Sequence, residues 1–213
     1  MSIISDLIAK QIDVKSAAKM TSQDYAVISE LLAGIQSSQD PIRYNSFKVI
    51  LLISEDNPEF LYPHWLLFEK MLDSDNSYFK NIAIQVIANL TKIDSDNRFE
   101  KLFDKYFGEL NSEKTMVAAH VAGNAGKIAL TKPRPQSQIT SKLINIGTTY
   151  AGKQIALIKG YTIETFHQYY DKTNVKGKDR ILKFVKKEQT SRSPRTRKAA
   201  LAFLKTKGIE KQK

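Results

Sequence analysis

Apolar residues return at three- and four-residue intervals along almost the whole chain, which is the period of amphipathic helices. Ile3, Ile4, Leu7, Ile8 and Ile12, with Ala17 and Ala18 beyond them, predict a capping helix over Ser2 to Met20. Thr21 or Ser22, followed by Asp24, then reads as the start of a second helix with Tyr25, Val27, Ile28, Leu31, Leu32 and Ile35 as its apolar positions. Gly34 and the run Ser37-Ser-Gln-Asp-Pro41 close that helix. Pro41 suits the first turn of the next one, where its missing N–H has no helical partner. From there helices are expected in alternation, one set near 58–72, 96–109, 137–147 and 174–187, the other near 41–54, 77–91, 113–130, 149–169 and 194–207. The connectors, such as Asp73-Ser-Asp-Asn-Ser77 and Lys132-Pro-Arg-Pro-Gln136, are rich in residues that cap or break helices. No segment alternates with period two for long enough to argue a strand.

The second set of helices carries a recurring cassette: Ile42-Arg43-x-x-Ser46, Phe79-Lys80-x-x-Ala83, Thr115-Met116-x-x-Ala119, Gly152-Lys153-x-x-Ala156 and Thr196-Arg197-x-x-Ala200. The middle residues are 37, 36, 37 and 44 positions apart. A repeat of that length is one pair of helices, which cannot bury its apolar face alone, so successive pairs must stack. The last cassette position is always small, as close helix approach requires, and Ser46, Ala83, Ala119, Ala156 and Ala200 are expected to be buried at equivalent places. Seven residues after the middle position stand Ile50, Ile87, Gly123, Gly160 and Leu204, a second inward position. The expectation is an all-α solenoid of about five helix pairs behind a capping helix. It forms one domain over residues 1–207, with residues 208–213 as a flexible basic tail.

Charge divides this chain more sharply than any other property. Of 33 Lys and Arg and 22 Asp and Glu, residues 1–110 hold 11 and 16, and residues 111–213 hold 22 and 6. Residues 170–213 alone carry 15 basic and 4 acidic side chains. So lopsided a field attracts polyanions. Near 174–187, Lys176, Arg180, Lys183 and Lys187 recur at i, i+4, i+7 and i+11, one stripe of a helix whose Ile181, Leu182 and Val185 face the other way. Arg195, Arg197 and Lys198 extend the patch, and Lys153 of the fourth cassette joins the candidate binding residues. Such a surface fits phosphate contacts that position a nucleic acid without reading its sequence, or an acidic protein partner. A solvated face that only aids solubility is the plain alternative.

Other chemistry has thinner support. With no cysteine there is no disulfide, cysteine zinc site or thiol nucleophile. His64, His120 and His167 show no metal spacing, and no cofactor is expected. Val121 and Ile128 stand where a phosphate loop around Gly126-Lys127 would need Gly and Ser or Thr, so Gly123 and Gly126 read as helix-packing positions. Asn89-Leu-Thr91 is a glycosylation triplet inside an expected helix. Asp6 and Lys10 interrupt the apolar start, unlike a signal peptide, and no apolar run is long enough to span a bilayer, so the expected location is cytoplasmic.

Asp40-Pro41-Ile42-Arg43-Tyr44-Asn45-Ser46 and Thr196-Arg197-Lys198-Ala199-Ala200-Leu201 resemble the motif that begins the second helix of HEAT repeats, Asp-Pro-x-x-Val-Arg-x-x-Ala. Met116 replaces the basic residue in the third copy and Gly152 the apolar one in the fourth. The resemblance spans about Ser22 to Lys207, and it implies a right-handed α-solenoid serving as a non-enzymatic binding scaffold. A HEAT-like group of alkylpurine DNA glycosylases is similar in length and basicity. Its Asp-bearing turn loosely resembles Asp73-Ser-Asp75-Asn-Ser-Tyr78-Phe79-Lys80, with Trp65 as the lone tryptophan. That resemblance implies base release from alkylated DNA. The opposing reading is that Asp73, Asp75 and Ser77 cap a helix and Trp65 packs in the core.

Overall fold

A computed structural model of the chain describes residues 2–9, 13–21 and 25–209. Among them there are thirteen α-helices and no strand: α1 (Ile3–Ile8), α2 (Val14–Thr21), α3 (Tyr25–Gly34), α4 (Asp40–Asp56), α5 (Trp65–Leu72), α6 (Ser77–Leu90), α7 (Arg98–Gly108), α8 (Thr115–Thr131), α9 (Gln136–Ile144), α10 (Ile146–Thr149), α11 (Ile155–Tyr169), α12 (Val175–Lys187) and α13 (Pro194–Thr206). They form two compact units, Met1–Arg98 and Phe99–Lys213. The first holds 9 Lys and Arg against 13 Asp and Glu, the second 24 against 9.

In the first unit α4 packs against α1, α2, α3 and α6, and α6 also packs against α5. The expected capping helix is two helices instead. Asp13 breaks the run, because its carboxylate accepts the Lys15 and Ser16 N–H groups at 2.8 and 3.0 Å and the Ser16 hydroxyl at 2.9 Å. These bonds hold its pKa below the ordinary carboxylate value. Of the residues expected to start α3, Thr21 ends α2, while Ser22 and Asp24 lie outside the described residues. The helix expected over 58–72 begins as two 3-10 turns, Pro58–Phe60 and Tyr62–His64, each with proline near its start, and becomes α-helical only at Trp65. Pro41 sits in the first turn of α4.

Why the cassette needs a small residue is visible where α3 meets α4. A Cβ built on Gly34 would lie 2.9 Å from the Ser46 Cβ, closer than packed atoms tolerate. Ser46, Ala83, Ala119 and Ala200 are all buried. Ala83→Leu should therefore overpack buried α6 against its neighbours and lower unfolding free energy by about 1–3 kcal/mol, read as a lower denaturant midpoint at unchanged m-value. Unchanged stability would mean that this contact is loose.

Ala156 departs from the pattern, for it is only half-buried. The fourth cassette straddles a helix start: α11 begins at Ile155, so Gly152 and Lys153 lie in the preceding loop, and Ala156 is the second helical residue. The second inward position of that cassette, Gly160, is buried on α11, which packs against α8 and α13, and a Cβ there would lie 2.8 Å from Thr196 Oγ1. Thr165 Oγ1 donates to the Ala122 carbonyl at 2.5 Å, and Thr196 Oγ1 donates to the Ala156 carbonyl. A Cβ on Gly126 would lie 2.8 Å from Gln168 Cδ and 3.2 Å from the Thr165 carbonyl, so that glycine does permit close packing. One on Gly123 would meet only the Tyr161 ring, at an ordinary 3.6 Å. On α7, Phe99, Phe103, Tyr106 and Phe107 are buried together, with Phe103 and Phe107 centroids 4.8 Å apart.

Candidate polyanion-binding groove

Helix α12 builds the site. Asn174 caps it, its side chain accepting the Gly177 N–H at 2.8 Å. Ile181, Phe184 and Val185 are buried, while Lys176, Lys183 and Lys187 are exposed and Arg180 is half-buried. The stripe faces a groove shared with α9 and α10. Arg180 Nη1 crosses to α9, donating to Ser141 Oγ at 3.0 Å.

Two adjoining pockets make up this groove. The first, about 350 Å³, is lined by Arg134, Gln136, Ser137, Thr140, Lys176 and Arg180, among others. The second, about 490 Å³, is lined by Ile144, Asn145, Gly147, Thr148, Lys159, Arg180, Lys183, Phe184, Lys187 and Glu188. Arg180 lines both, so the four stripe cations border two pockets that share Arg180. Glu188, 4% exposed, is the one carboxylate among these lining residues, and its Oε1 accepts from Lys159 Nζ at 2.6 Å.

Other candidates are occupied differently. Arg195 Nη2 donates to Glu164 Oε2 at 2.6 Å, and its guanidinium lies 4.0 Å from the Tyr161 ring centroid. Arg197 Nη1 donates to the carbonyls of Ser191 at 2.8 Å and Arg192 at 3.3 Å. Arg43, at the same cassette position, donates likewise to the carbonyl six residues before it, that of Ser37, at 3.0 Å, and pairs with Asp40. The cassette arginine at both ends of the chain thus ties down the turn in front of its own helix. Lys198 is exposed beside a separate pocket between α11 and α13, and Lys153 is exposed in the loop before α11. Arg197→Gln should accordingly lower stability by about 1–2 kcal/mol through the lost backbone bonds and leave polyanion affinity and its salt dependence unchanged. A shallower salt slope would return Arg197 to the binding surface.

Sequence reasoning missed Arg134 and Lys159. Arg134 sits in a proline-flanked connector, and Lys159 breaks the apolar pattern of α11 at a position where other cassettes carry Val, Ala or Phe. That break was the available signal for a polar partner in the fold.

The features that suggested a glycosylase fall elsewhere. Trp65 is 0% exposed and packs edge-on to Tyr62 at 5.8 Å, so its indole has no open face for a base. Asp75 is exposed, and the cap of α6 is Asn76, whose Oδ1 accepts the Tyr78 N–H at 2.9 Å. Neither Asp73, Asp75 nor Ser77 makes that capping bond. Asn89 is buried, its amide donating to Ser54 Oγ at 2.7 Å, a position closed to glycosylation. His120 is half-buried, and burial lowers its pKa. Among the described residues no group of three His, Asp or Glu lies placed to hold a metal ion, and no helix is long and apolar enough to cross a membrane.

Fold and site together define an all-helical protein with a cation-lined groove. Comparison with protein-family models, with curated proteins and with solved structures finds no match to this chain.

Proposed function

We propose that the protein is a non-enzymatic helical-repeat scaffold, a right-handed HEAT-like α-solenoid, whose groove along α12 binds a polyanion, nucleic acid first among them. Within each unit, successive cassette helices lie against one another, α4 on α6 in the first and α8, α11 and α13 in series in the second, where α9 also packs against α12. This is the stacking a repeat protein uses to bury faces that single pairs leave open.

One observation carries the binding reading. Lys176, Arg180, Lys183 and Lys187 line adjoining concavities in which the single carboxylate is already paired with a lysine of its own. Cations gathered in a low-dielectric cleft raise the local concentration of a polyanion more than the same charges spread over a flat face.

A salt titration of binding to duplex DNA, single-stranded DNA and RNA tests this. Four phosphate contacts should give a log–log slope of about −3.6 on a duplex and about −2.8 on a single strand. Absence of binding at low salt would overturn the nucleic-acid reading and leave the groove to an acidic protein.

A further inference from the structure

The two pockets of the groove differ in chemistry, and the difference bears on which polyanion fits. The smaller is walled by Lys176, Arg180 and Arg134, whose guanidinium stands 4.0 Å from Glu100. The Gln136 amide and the buried Thr140 hydroxyl are already bonded within the fold, so the three cations are what it offers phosphate oxygens. The larger is not a bare anion site. Besides the cations Arg180, Lys183 and Lys187 it has apolar walls from Ile144 and Phe184, and its Lys159–Glu188 pair adds a carboxylate acceptor that the smaller pocket lacks. One Glu188 oxygen is bound to Lys159, yet a carboxylate can accept several hydrogen bonds at once. Asn145 and Thr148, both exposed at the rim, add a side-chain amide and a hydroxyl. Apolar walls with a few polar groups are what a flat, neutral, hydrogen-bonding ligand requires, and about 490 Å³ is ample for one. Arg180, shared by both pockets, joins the phosphate-like environment to the base-like one.

Resting on the polyanion reading above, we propose that the larger pocket is a nucleobase site and that the groove therefore takes single-stranded nucleic acid. A phosphate of the strand sits against Arg134, Lys176 and Arg180, and a neighbouring base enters between Ile144, Phe184 and the Lys159–Glu188 pair. Only an unpaired base can do so, since in a duplex its edge is paired and its faces are stacked.

The test uses the full chain and three dye-labelled oligonucleotides of equal length: a mixed-sequence single strand, the same strand with every base replaced by an abasic tetrahydrofuran unit, and the duplex. Gly147→Leu is the reporting variant. Gly147 is exposed and lines the pocket, and a Cβ there meets only the Lys159 side chain, at an ordinary 3.6 Å, so leucine adds apolar bulk to the pocket and leaves charge unchanged. Thr148→Trp serves as a second pocket-filling variant should Gly147→Leu fail to fold, as checked by circular dichroism.

The base-bearing strand should bind roughly tenfold tighter than the abasic strand, within the range one base contact contributes. Filling the pocket should erase that difference with no change in salt slope. Equal affinity for the two single strands would overturn the nucleobase site and leave the polyanion reading standing, as would a pocket-filling variant that weakens both strands alike. No binding of any of the three at low salt would sink both.

Discussion

Reversing Arg180 and Lys183 to glutamate is expected to lower nucleic-acid affinity by about 25-fold on a single strand and about 60-fold on a duplex at roughly 0.1 M salt. Each lost phosphate contact forfeits the release of condensed counterion, a factor of about 5 per contact on single strands and about 8 on duplexes at that concentration. The slope of log affinity against log salt should flatten by about 1.4 or 1.8 units respectively, and the loss should be uniform across sequences. Lys183 is exposed and Arg180 half-buried with one hydrogen bond, to Ser141, so unfolding free energy should move little. The informative control is Arg195→Gln. Arg195 is already paired with Glu164, so its loss should leave the slope where it was. Similar losses for both variants would show that net charge, and not the α12 groove, governs binding.

Phe166→Ala should destabilise the second unit by about 3–5 kcal/mol. The ring is fully buried on α11 and meets Tyr169 at 6.1 Å and Phe184 at 5.7 Å, edge to face in both cases. Removing it leaves a cavity directly behind Phe184, itself a wall of the larger pocket. Denaturant unfolding should show the lower midpoint. Where the variant is still folded, binding to the abasic strand should keep the wild-type salt slope, because Lys176, Lys183 and Lys187 are exposed and Phe166 is buried. A cost below about 1 kcal/mol would mean that this part of the core collapses readily around the gap.

Much of the candidate site was legible in the chain. The intervals from Lys176 to Lys187 place four cations on one stripe of any helix that forms there, whatever it packs against, because the spacing is set by helical pitch. The same reasoning could not distinguish a cation facing open solvent from one already satisfied. Arg180 and Arg195 look alike in sequence. The first borders both pockets, whereas the second is held by a glutamate 31 residues earlier in the chain. Arg197 counts toward the basic surface by its charge alone, yet it is spent on the backbone of its own turn. Trp65 shows the converse, since a burial reading for a lone tryptophan amid apolar neighbours needed only composition and spacing.

What the sequence by itself determined is local: the helix periods, the small residues of the cassettes, the proline and asparagine punctuation, and the charge asymmetry. Helical periodicity follows from backbone geometry, and capping from bonds within four residues of a helix end, so both can be read from neighbouring letters. The tertiary structure alone decided that α12 turns its stripe toward α9 and α10, and that Lys159 meets Glu188 across 29 residues. It also decided that α11 starts late, leaving Lys153 in a loop. Those outcomes depend on which helix faces close on one another, a matter of packing volume and of desolvating charges in pairs, and no spacing rule within one helix carries that information.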